Sequence, residues 1–123
     1  MRVSLELEPG PDIAARAREE LRSRLGTRLP PDLLLDLLVV VSELVTNSFQ
    51  HGPGQPIELR ITLSEDGSVR GEIADHGTGE VAVNEDADIE GGFGLQIVDA
   101  VTDSWGVHEG TTHVWFELGS PDS

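Results

Sequence analysis

The longest apolar segment of the chain closes with Ser42-Glu43-Leu44-Val45-Thr46-Asn47-Ser48-Phe49-Gln50-His51-Gly52. If this segment is helical, Glu43, Asn47 and His51 are spaced four residues apart, so each lies about 40° round the axis from the one before and all three share one stripe. The neighbouring stripe is apolar and consists of Leu34, Leu37, Leu38, Val41, Leu44 and Val45. The polar triplet therefore borders the face that a hydrophobic core would cover.

This polar stripe has two interpretations. A carboxylate and an amide held at the border of a core, here Glu43 and Asn47, could serve as a base and a metal ligand. Solvated polar residues on an ordinary amphipathic helix give a similar pattern, and the spacing alone favours that simpler explanation. The decision therefore depends on whether the rest of the chain supplies the other half of a site.

The size of the chain predicts one folded domain. Its 123 residues are enough for a single core, so we expect one domain over residues 1–119 and a frayed tail over 120–123. No apolar run approaches the roughly 18 residues of a membrane span, and the first 20 residues lack the order of a signal peptide. Without cysteine there can be no disulfide and no thiol nucleophile. We expect a cytoplasmic protein.

The charge balance limits the classes of partner. A net charge of −15 argues against direct binding to nucleic acid or to an anionic membrane, because both need clustered Lys or Arg. All eight basic residues are arginines, and five of them lie within residues 16–28. A basic protein partner is compatible with this balance, although high acidity also favours solubility.

Hydrophobic periodicity predicts the element order β-α-α-β-β-loop-α-β-β. The elements are a strand ending at Leu7, a helix over 12–25 capped by Asp12 and ended by Gly26, a helix from Pro31 to about Gln50, strands over 57–63 and 69–75 joined by a turn at 65–68, a loop over 76–90, a short helix after the glycines at 91–94, and a hairpin of 103–107 with 111–118. This order predicts an α+β fold, a two-layer α/β sandwich with helices on one face of a mixed, mainly antiparallel sheet.

Asp75 stands out because of its place at the end of a predicted strand. It continues the inward alternation of Val69 and Ile73, and a carboxylate on the core side needs a hydrogen-bond donor. The amino group of a bound adenine could be that donor, or the carboxylate could cap the turn made by Gly77 and Gly79. The glycines also allow the backbone to approach a flat ligand closely.

The second glycine-rich stretch is Gly91-Gly92-Phe93-Gly94-Leu95, which opens a predicted helix. Such a turn presents unpaired backbone N–H groups and the positive end of the helix dipole, an arrangement that suits phosphate. A plain junction between a loop and a helix looks the same. The stretch is not a P-loop, since no Lys-Ser/Thr follows it, and it lacks the βαβ setting of a dinucleotide fingerprint.

In their order and spacing, the three stretches resemble the GHKL superfamily of histidine kinase-like ATPases. Within it the chain looks most like the small anti-sigma-factor serine/threonine kinases, on Glu43-Leu44-Val45-x-Asn47-x-x-x-His51-Gly52 and on the ending Trp105-Gly106…Thr111-Thr112-x-Val114-Trp115-Phe116. The resemblance covers nearly the whole chain and implies the histidine kinase-like ATPase fold.

The resemblance also implies roles for individual residues. Asn47 would bind Mg²⁺, Glu43 would be the general base, and Asp75 would bind the adenine amino group. Gly77 and Gly79 would shape the base pocket. The ATP phosphates would lie along the backbone of Gly91, Gly92, Gly94 and Leu95.

The function implied is that of an ATP- and Mg²⁺-dependent serine/threonine kinase. It would phosphorylate an anti-sigma-factor antagonist and could also sequester a sigma factor, and a homodimer is compatible with the resemblance. An alternative is a nucleotide-binding regulatory module with little or no turnover, because residues 76–90 contain five acidic residues and no Lys or Arg to contact a triphosphate. A structural domain that binds no nucleotide is the third alternative.

Overall fold

The computed structural model describes residues 1–51, 54–74, 92–107 and 113–119. Its elements are β1 (Arg2–Leu7), α1 (Ile13–Leu25), α2 (Pro31–His51), β2 (Ile57–Leu63), β3 (Val69–Ala74), α3 (Gly92–Val101), β4 (Ser104–Val107) and β5 (Val114–Leu118). The predicted order is confirmed, with bounds that differ by at most three residues. The predicted loop over 76–90, the residues between the two strands of the last predicted hairpin, and the tail over 120–123 lie outside the described residues.

The five strands form one sheet in the order β1-β2-β3-β5-β4. The sequence pattern predicts a mixed sheet, but every pairing among the described strands is antiparallel. The reason is that β2–β3 and β4–β5 are both antiparallel hairpins. Where the two hairpins meet, β5 also lies beside β3 and runs in the opposite direction. This insertion places β3 at the centre of the sheet and leaves β1 and β4 at its edges.

The helices cover one face of this sheet. The α2 helix packs against β2, β3 and β5, while α1 packs against β1 and α2, and α3 against α2 and β4. The strand residues that face the helices are buried and mostly apolar, as Ile73 and Phe116 show, both at 0% exposure. The predicted two-layer α+β sandwich is therefore confirmed. No helix in the described part of the chain is long and apolar enough to cross a membrane.

The buried side of α2 is the stripe that the sequence predicts. Leu37, Leu38, Val41, Leu44 and Val45 are all buried, and Leu34 is partly buried against the same cluster. The stripe is wider than predicted, because Val40 also has no exposed surface. A broad apolar face of this kind explains how one helix can cover the three middle strands of the sheet.

The start of α1 differs from the prediction in one detail. Asp12 occupies the position before the helix, but its side chain accepts no capping hydrogen bond. Its carboxylate instead lies 3.2 Å from Nε of Arg16, one turn into the helix, where a charged donor competes with the backbone N–H groups. Gly26 ends the helix as predicted, and its N–H donates to the carbonyl of Arg22 at 2.9 Å.

The other face of the sheet carries alternating charges. Nη1 of Arg70 on β3 lies 2.8 Å from a carboxylate oxygen of Glu117 on β5, and Nη1 of Arg60 on β2 lies 3.6 Å from Glu72. The guanidinium carbon of Arg70 also stands 4.9 Å from the ring centre of Trp115. Trp115 thus packs on the surface of the sheet that faces away from the helices. Oppositely charged neighbours across strands support the antiparallel register.

The β2–β3 turn forms at the predicted Glu65–Ser68 segment. Gly67 has φ of +89°, a conformation that glycine adopts readily, and the N–H of Ser64 donates to the carbonyl of Ser68 at 2.9 Å. The hydroxyl and the N–H of Ser68 both donate to Asp66 Oδ1, at 2.7 and 2.9 Å. These two hydrogen bonds, the hydroxyl's first, hold the pKa of Asp66 below its ordinary value.

We expect Ser68→Ala to raise the pKa of Asp66 towards its ordinary value, because the larger of the two causes is removed. The lowered pKa means that the ionised turn stabilises the fold above the unfolded pKa of Asp66, and this contribution is lost as pH falls through the folded value. An NMR titration of the Asp66 carboxyl carbon measures the change, with Ser64→Ala as the control in the same turn. An unchanged Asp66 titration in Ser68→Ala would contradict the assignment of cause.

Candidate functional site

Glu43 and Asn47 lie at the border of the buried face of α2. Both side chains are half-buried, and the residues between them and the core, Val40 and Leu44, are 0% and 1% exposed. One helical turn separates the pair, a rise of about 6 Å along the axis. Ser48, the next residue after Asn47, is 7% exposed and is the only polar residue in the buried set of the described chain. The pair is therefore partly desolvated.

A hydrogen-bond chain from α1 holds this part of α2 in place. Nη1 of Arg18 donates to Oγ of Ser42 at 3.0 Å, and Ser42 Oγ donates to the carbonyl of Leu38 at 2.7 Å. Ser42 directly precedes Glu43, so the link sets how α2 is rotated against α1 at the site. Sequence reasoning missed it, because Arg18 looks like any other member of the basic segment and the bond joins residues 24 positions apart.

The α3 helix places the second glycine-rich stretch, from Gly92 onwards, in the helix layer beside α2. The α3 helix begins at Gly92 and packs along α2, so Gly92 and Gly94 lie in its first turn and Leu95 follows them. Val98 is fully buried, and Thr102 donates through both N–H and Oγ1 to the Val98 carbonyl, at 3.0 and 2.7 Å. The first N–H groups of any helix have no partner within the helix, so the phosphate-binding role of this turn stays a prediction.

The strand that leads to the predicted adenine contact is β3. Its last inward-facing residue, Ile73, is 0% exposed and lies between Leu59 of β2 and Val114 of β5. The prediction that Asp75 faces inward rests on the inward alternation of Val69 and Ile73. That alternation is confirmed for the described part of the strand, which ends at Ala74. Four predicted site residues lie outside the described residues, namely Asp75, Gly77, Gly79 and Gly91. The roles of all the predicted site residues stay predictions.

The chemistry of the described pair suits a nucleotide with a divalent cation. Mg²⁺ bound to nucleotide phosphates keeps several waters and takes few protein ligands, so one amide oxygen, that of Asn47, is sufficient. The described side chains include no group of three His, Asp or Glu arranged to bind a metal, so the remaining ligands would come from phosphates and water. If a substrate hydroxyl were bound beside this pair, the carboxylate of Glu43, one turn away, could accept its proton.

The domain is a layer of helices on an antiparallel sheet. Its central helix, α2, carries Glu43 and Asn47, and the neighbouring helix, α3, begins at a glycine. These features define an α+β domain of the histidine kinase-like class. The family model for the histidine kinase-like ATPase domain matches residues 7–118. The chain belongs to that family. Membership of an ATPase family implies that the nucleotide bound by this domain is ATP.

Solved structures support the same fold. One of 12 matching chains is the crystal structure of the RsbU and RsbW domains of Rv1364c from Mycobacterium tuberculosis, with a TM-score of 0.71 and 21% sequence identity. The match covers 96% of this chain and 31% of that chain, so the present chain spans about a third of its neighbour's length. At this identity the likeness shows the fold. A search of curated proteins found no match.

Proposed function

We propose that the chain is a regulatory serine/threonine protein kinase of the anti-sigma type that uses ATP and Mg²⁺ in the cytoplasm. Its substrate would be an anti-sigma-factor antagonist, and it would also sequester a sigma factor. The observation that carries the proposal is the half-buried Glu43–Asn47 pair on α2 in a chain of the histidine kinase-like ATPase family. The anti-sigma branch is supported by the motif from Glu43 to Gly52 and by the likeness to a structure that contains an RsbW domain.

The proposed transfer needs few groups from the protein. The hydroxyl oxygen of the substrate serine or threonine forms a bond to the γ-phosphorus, the bond between that phosphorus and the ADP oxygen breaks, and Glu43 takes the hydroxyl proton. Asn47 would bind Mg²⁺, which neutralises phosphate charge, and Asp75 would bind the adenine amino group. Positioning and charge neutralisation supply most of the catalysis in such reactions, so a small domain is adequate.

A regulatory module with little turnover is the second candidate, and one observation favours it. Residues 76–90 contain Glu80, Glu85, Asp86, Asp88 and Glu90 and no Lys or Arg. None of the charges in this segment can therefore offset those of a triphosphate, which favours a protein that acts by occupancy. Glu43 argues for the kinase, because a module that only binds ATP needs no base.

Labelled ATP and a candidate antagonist protein separate the two functions. A kinase transfers label from the γ-position of ATP to a serine or threonine of the antagonist, in a Mg²⁺-dependent reaction. A module binds ATP without transfer, and its affinity for a sigma factor changes with the nucleotide. Failure to bind ATP at millimolar concentration would reject both functions.

The Asn47→Ala variant tests the metal ligand. Because a ligand bound only to the folded state stabilises it, Mg²⁺·ATP at about 100 times its dissociation constant adds about 2.7 kcal/mol to the free energy of unfolding. We expect this variant to lose the Mg²⁺-dependent part of the rise in melting temperature, while keeping the melting temperature of the free protein. Gln50→Ala, an exposed position three residues further along α2, is the matched control. An undiminished Mg²⁺ effect in Asn47→Ala would remove Asn47 from the metal site.

A further inference from the structure

The buried stripe of α2 ends in a hydroxyl group. Leu37 and Leu44 of this stripe are 0% and 1% exposed, and the next residue of the same stripe is Ser48, which is 7% exposed. At about 100° per residue, the buried residues furthest round the helix are Val40 and Leu38, about 80° to either side of Ser48. Ser48 therefore lies at the centre of the buried face and is directed at the sheet.

The hydroxyl of Ser48 has no hydrogen-bond partner in the described part of the chain. Ser42 on the same helix and Thr102 after α3 each donate to the carbonyl four residues earlier, at 2.7 Å. Ser48 makes no such bond to the carbonyl of Leu44 or to any other described residue. Its Oγ is not among the fully enclosed polar atoms of those residues that lack a hydrogen bond, so it keeps some accessible surface. Because a buried hydroxyl without a hydrogen bond costs free energy, we expect a ligand to supply the partner.

The start of α2 determines which part of the sheet Ser48 covers. A Cβ on Gly119 would lie 3.1 Å from a side-chain carbon of Leu33, in the first turn of α2. Gly119 directly follows β5 and is next to the start of β3, because Leu118 pairs with Val69. Ser48 comes 15 residues after Leu33, a rise of about 22 Å, whereas β3 is only about 17 Å long. Since α2 packs on β3, Ser48 lies over the end of that strand.

This position suits the uncharged part of a nucleotide. Asn47 lies about 100° round the helix from Ser48, at the border where phosphates and Mg²⁺ keep contact with water. Ser48 instead faces the core, where Ile73 and Val114 are buried and a charged group would lose its hydration. The proposed function puts the adenine amino group at Asp75, just beyond the end of β3. The base would therefore bind on the side of α2 that carries Ser48.

We propose that the hydroxyl of Ser48 donates a hydrogen bond to N1 of the bound adenine, directly or through one water. The inference rests on the proposed binding of ATP. N1 is next to the carbon that carries the amino group and can only accept a hydrogen bond. A carboxylate that accepts from the amino group has no proton for N1, whereas a serine hydroxyl supplies one. Ser48 is thus a base-binding residue of the site, beside the metal ligand Asn47.

The Ser48→Ala variant tests the hydroxyl with two measurements. The ligand-free variant should melt at the native temperature or slightly above it, because it buries no hydroxyl without a partner. Its dissociation constant for Mg²⁺·ATP, measured by titration calorimetry, should rise on the order of fivefold, roughly the contribution of one neutral hydrogen bond. Thr46→Val is the matched control, since it removes a hydroxyl from the half-exposed, nearly opposite side of the same helix. This control should change neither measurement.

An ATP analogue identifies the partner atom. In 1-deaza-ATP a C–H group replaces N1, so the native chain should bind the analogue more weakly than ATP by about the same factor. The Ser48→Ala variant should bind the analogue at least as well as ATP, because neither ligand can then receive the hydrogen bond. The four dissociation constants form a cycle that isolates the interaction between the hydroxyl and N1 from other effects of either change.

The outcomes separate this inference from the proposed function. ATP binding that Ser48→Ala leaves unchanged would overturn the inference alone. Equal weakening of ATP and 1-deaza-ATP by the variant would also overturn it, and so would a lower melting temperature of the ligand-free variant, because either result would give Ser48 a packing role. If the native chain did not bind ATP at millimolar concentration, the inference and the proposed function would both be rejected.

Discussion

Replacing Glu43 by glutamine is expected to slow phosphoryl transfer to the antagonist by roughly 10²–10⁴-fold, the usual contribution of a positioned general base. Glutamine has nearly the same shape, so it keeps the packing beside Val40 and Leu44 but cannot accept the hydroxyl proton. ATP affinity should change little, because in the proposed mechanism other groups bind the nucleotide. The measurement is the initial rate of label transfer from ATP, with affinity followed separately by the rise in melting temperature.

The matched control for this substitution is Asp36→Asn on the same helix. Asp36 is exposed and lies about two turns before Glu43, so its neutralisation changes the charge of α2 by the same amount without touching the pair. Transfer by this control is expected to equal that of the native chain. Equal transfer by Glu43→Gln would show that Glu43 is not the base, and absence of transfer in the native chain despite ATP binding would favour the regulatory module.

The Gly71→Ala variant is expected to have the largest effect on stability. A Cβ at position 71 would lie 2.1 Å from Cζ and 2.3 Å from Cε1 of Phe116, which is directly opposite on β5 and has no exposed surface. The ring cannot move away, because the helix layer covers it. We expect a loss of about 3 kcal/mol in the free energy of unfolding and a fall in melting temperature on the order of 10 °C.

A double-mutant cycle tests whether Phe116 is the cause. In a Phe116→Leu background the added methyl group has more space, so Gly71→Ala should cost less there than in the native chain. Gly106→Ala is the comparison on the other face, where a Cβ would lie 2.9 Å from atoms of Trp115, a half-buried ring that is able to shift. Equal costs in the native and the Phe116→Leu backgrounds would be the result that excludes the ring as the source of strain.

Local hydrophobic periodicity predicts most of the helices and strands of the fold. The alternation from Ile57 to Leu63 and the stripe on α2 are properties of neighbouring residues, and both elements lie where the sequence predicts them. The strand order is different, since Gly71 and Phe116 are 45 residues apart and nothing local to either segment indicates that they pair. The sequence therefore does not predict the all-antiparallel sheet or the tight contact between those two residues, and both are seen only in the structure.

The candidate site likewise has one part that local sequence spacing predicts and another part that it does not. The position of Glu43 and Asn47 beside the core follows from helical spacing, and the structure places them there. The Arg18–Ser42 link joins two helices and depends on how α1 packs, which periodicity does not determine. The predicted cap at Asp12 was wrong for a related reason, because Arg16 offers its carboxylate a stronger partner than the backbone does.

The central place of β3 has a consequence for dynamics. This strand is hydrogen-bonded along both edges, to β2 and to β5, so its amide groups can exchange with solvent only when the sheet itself opens. Edge strands and chain ends open far more often. The backbone that leads to position 75 is therefore already ordered before a ligand binds. Because it loses little conformational entropy on binding, this order favours affinity without any additional contact.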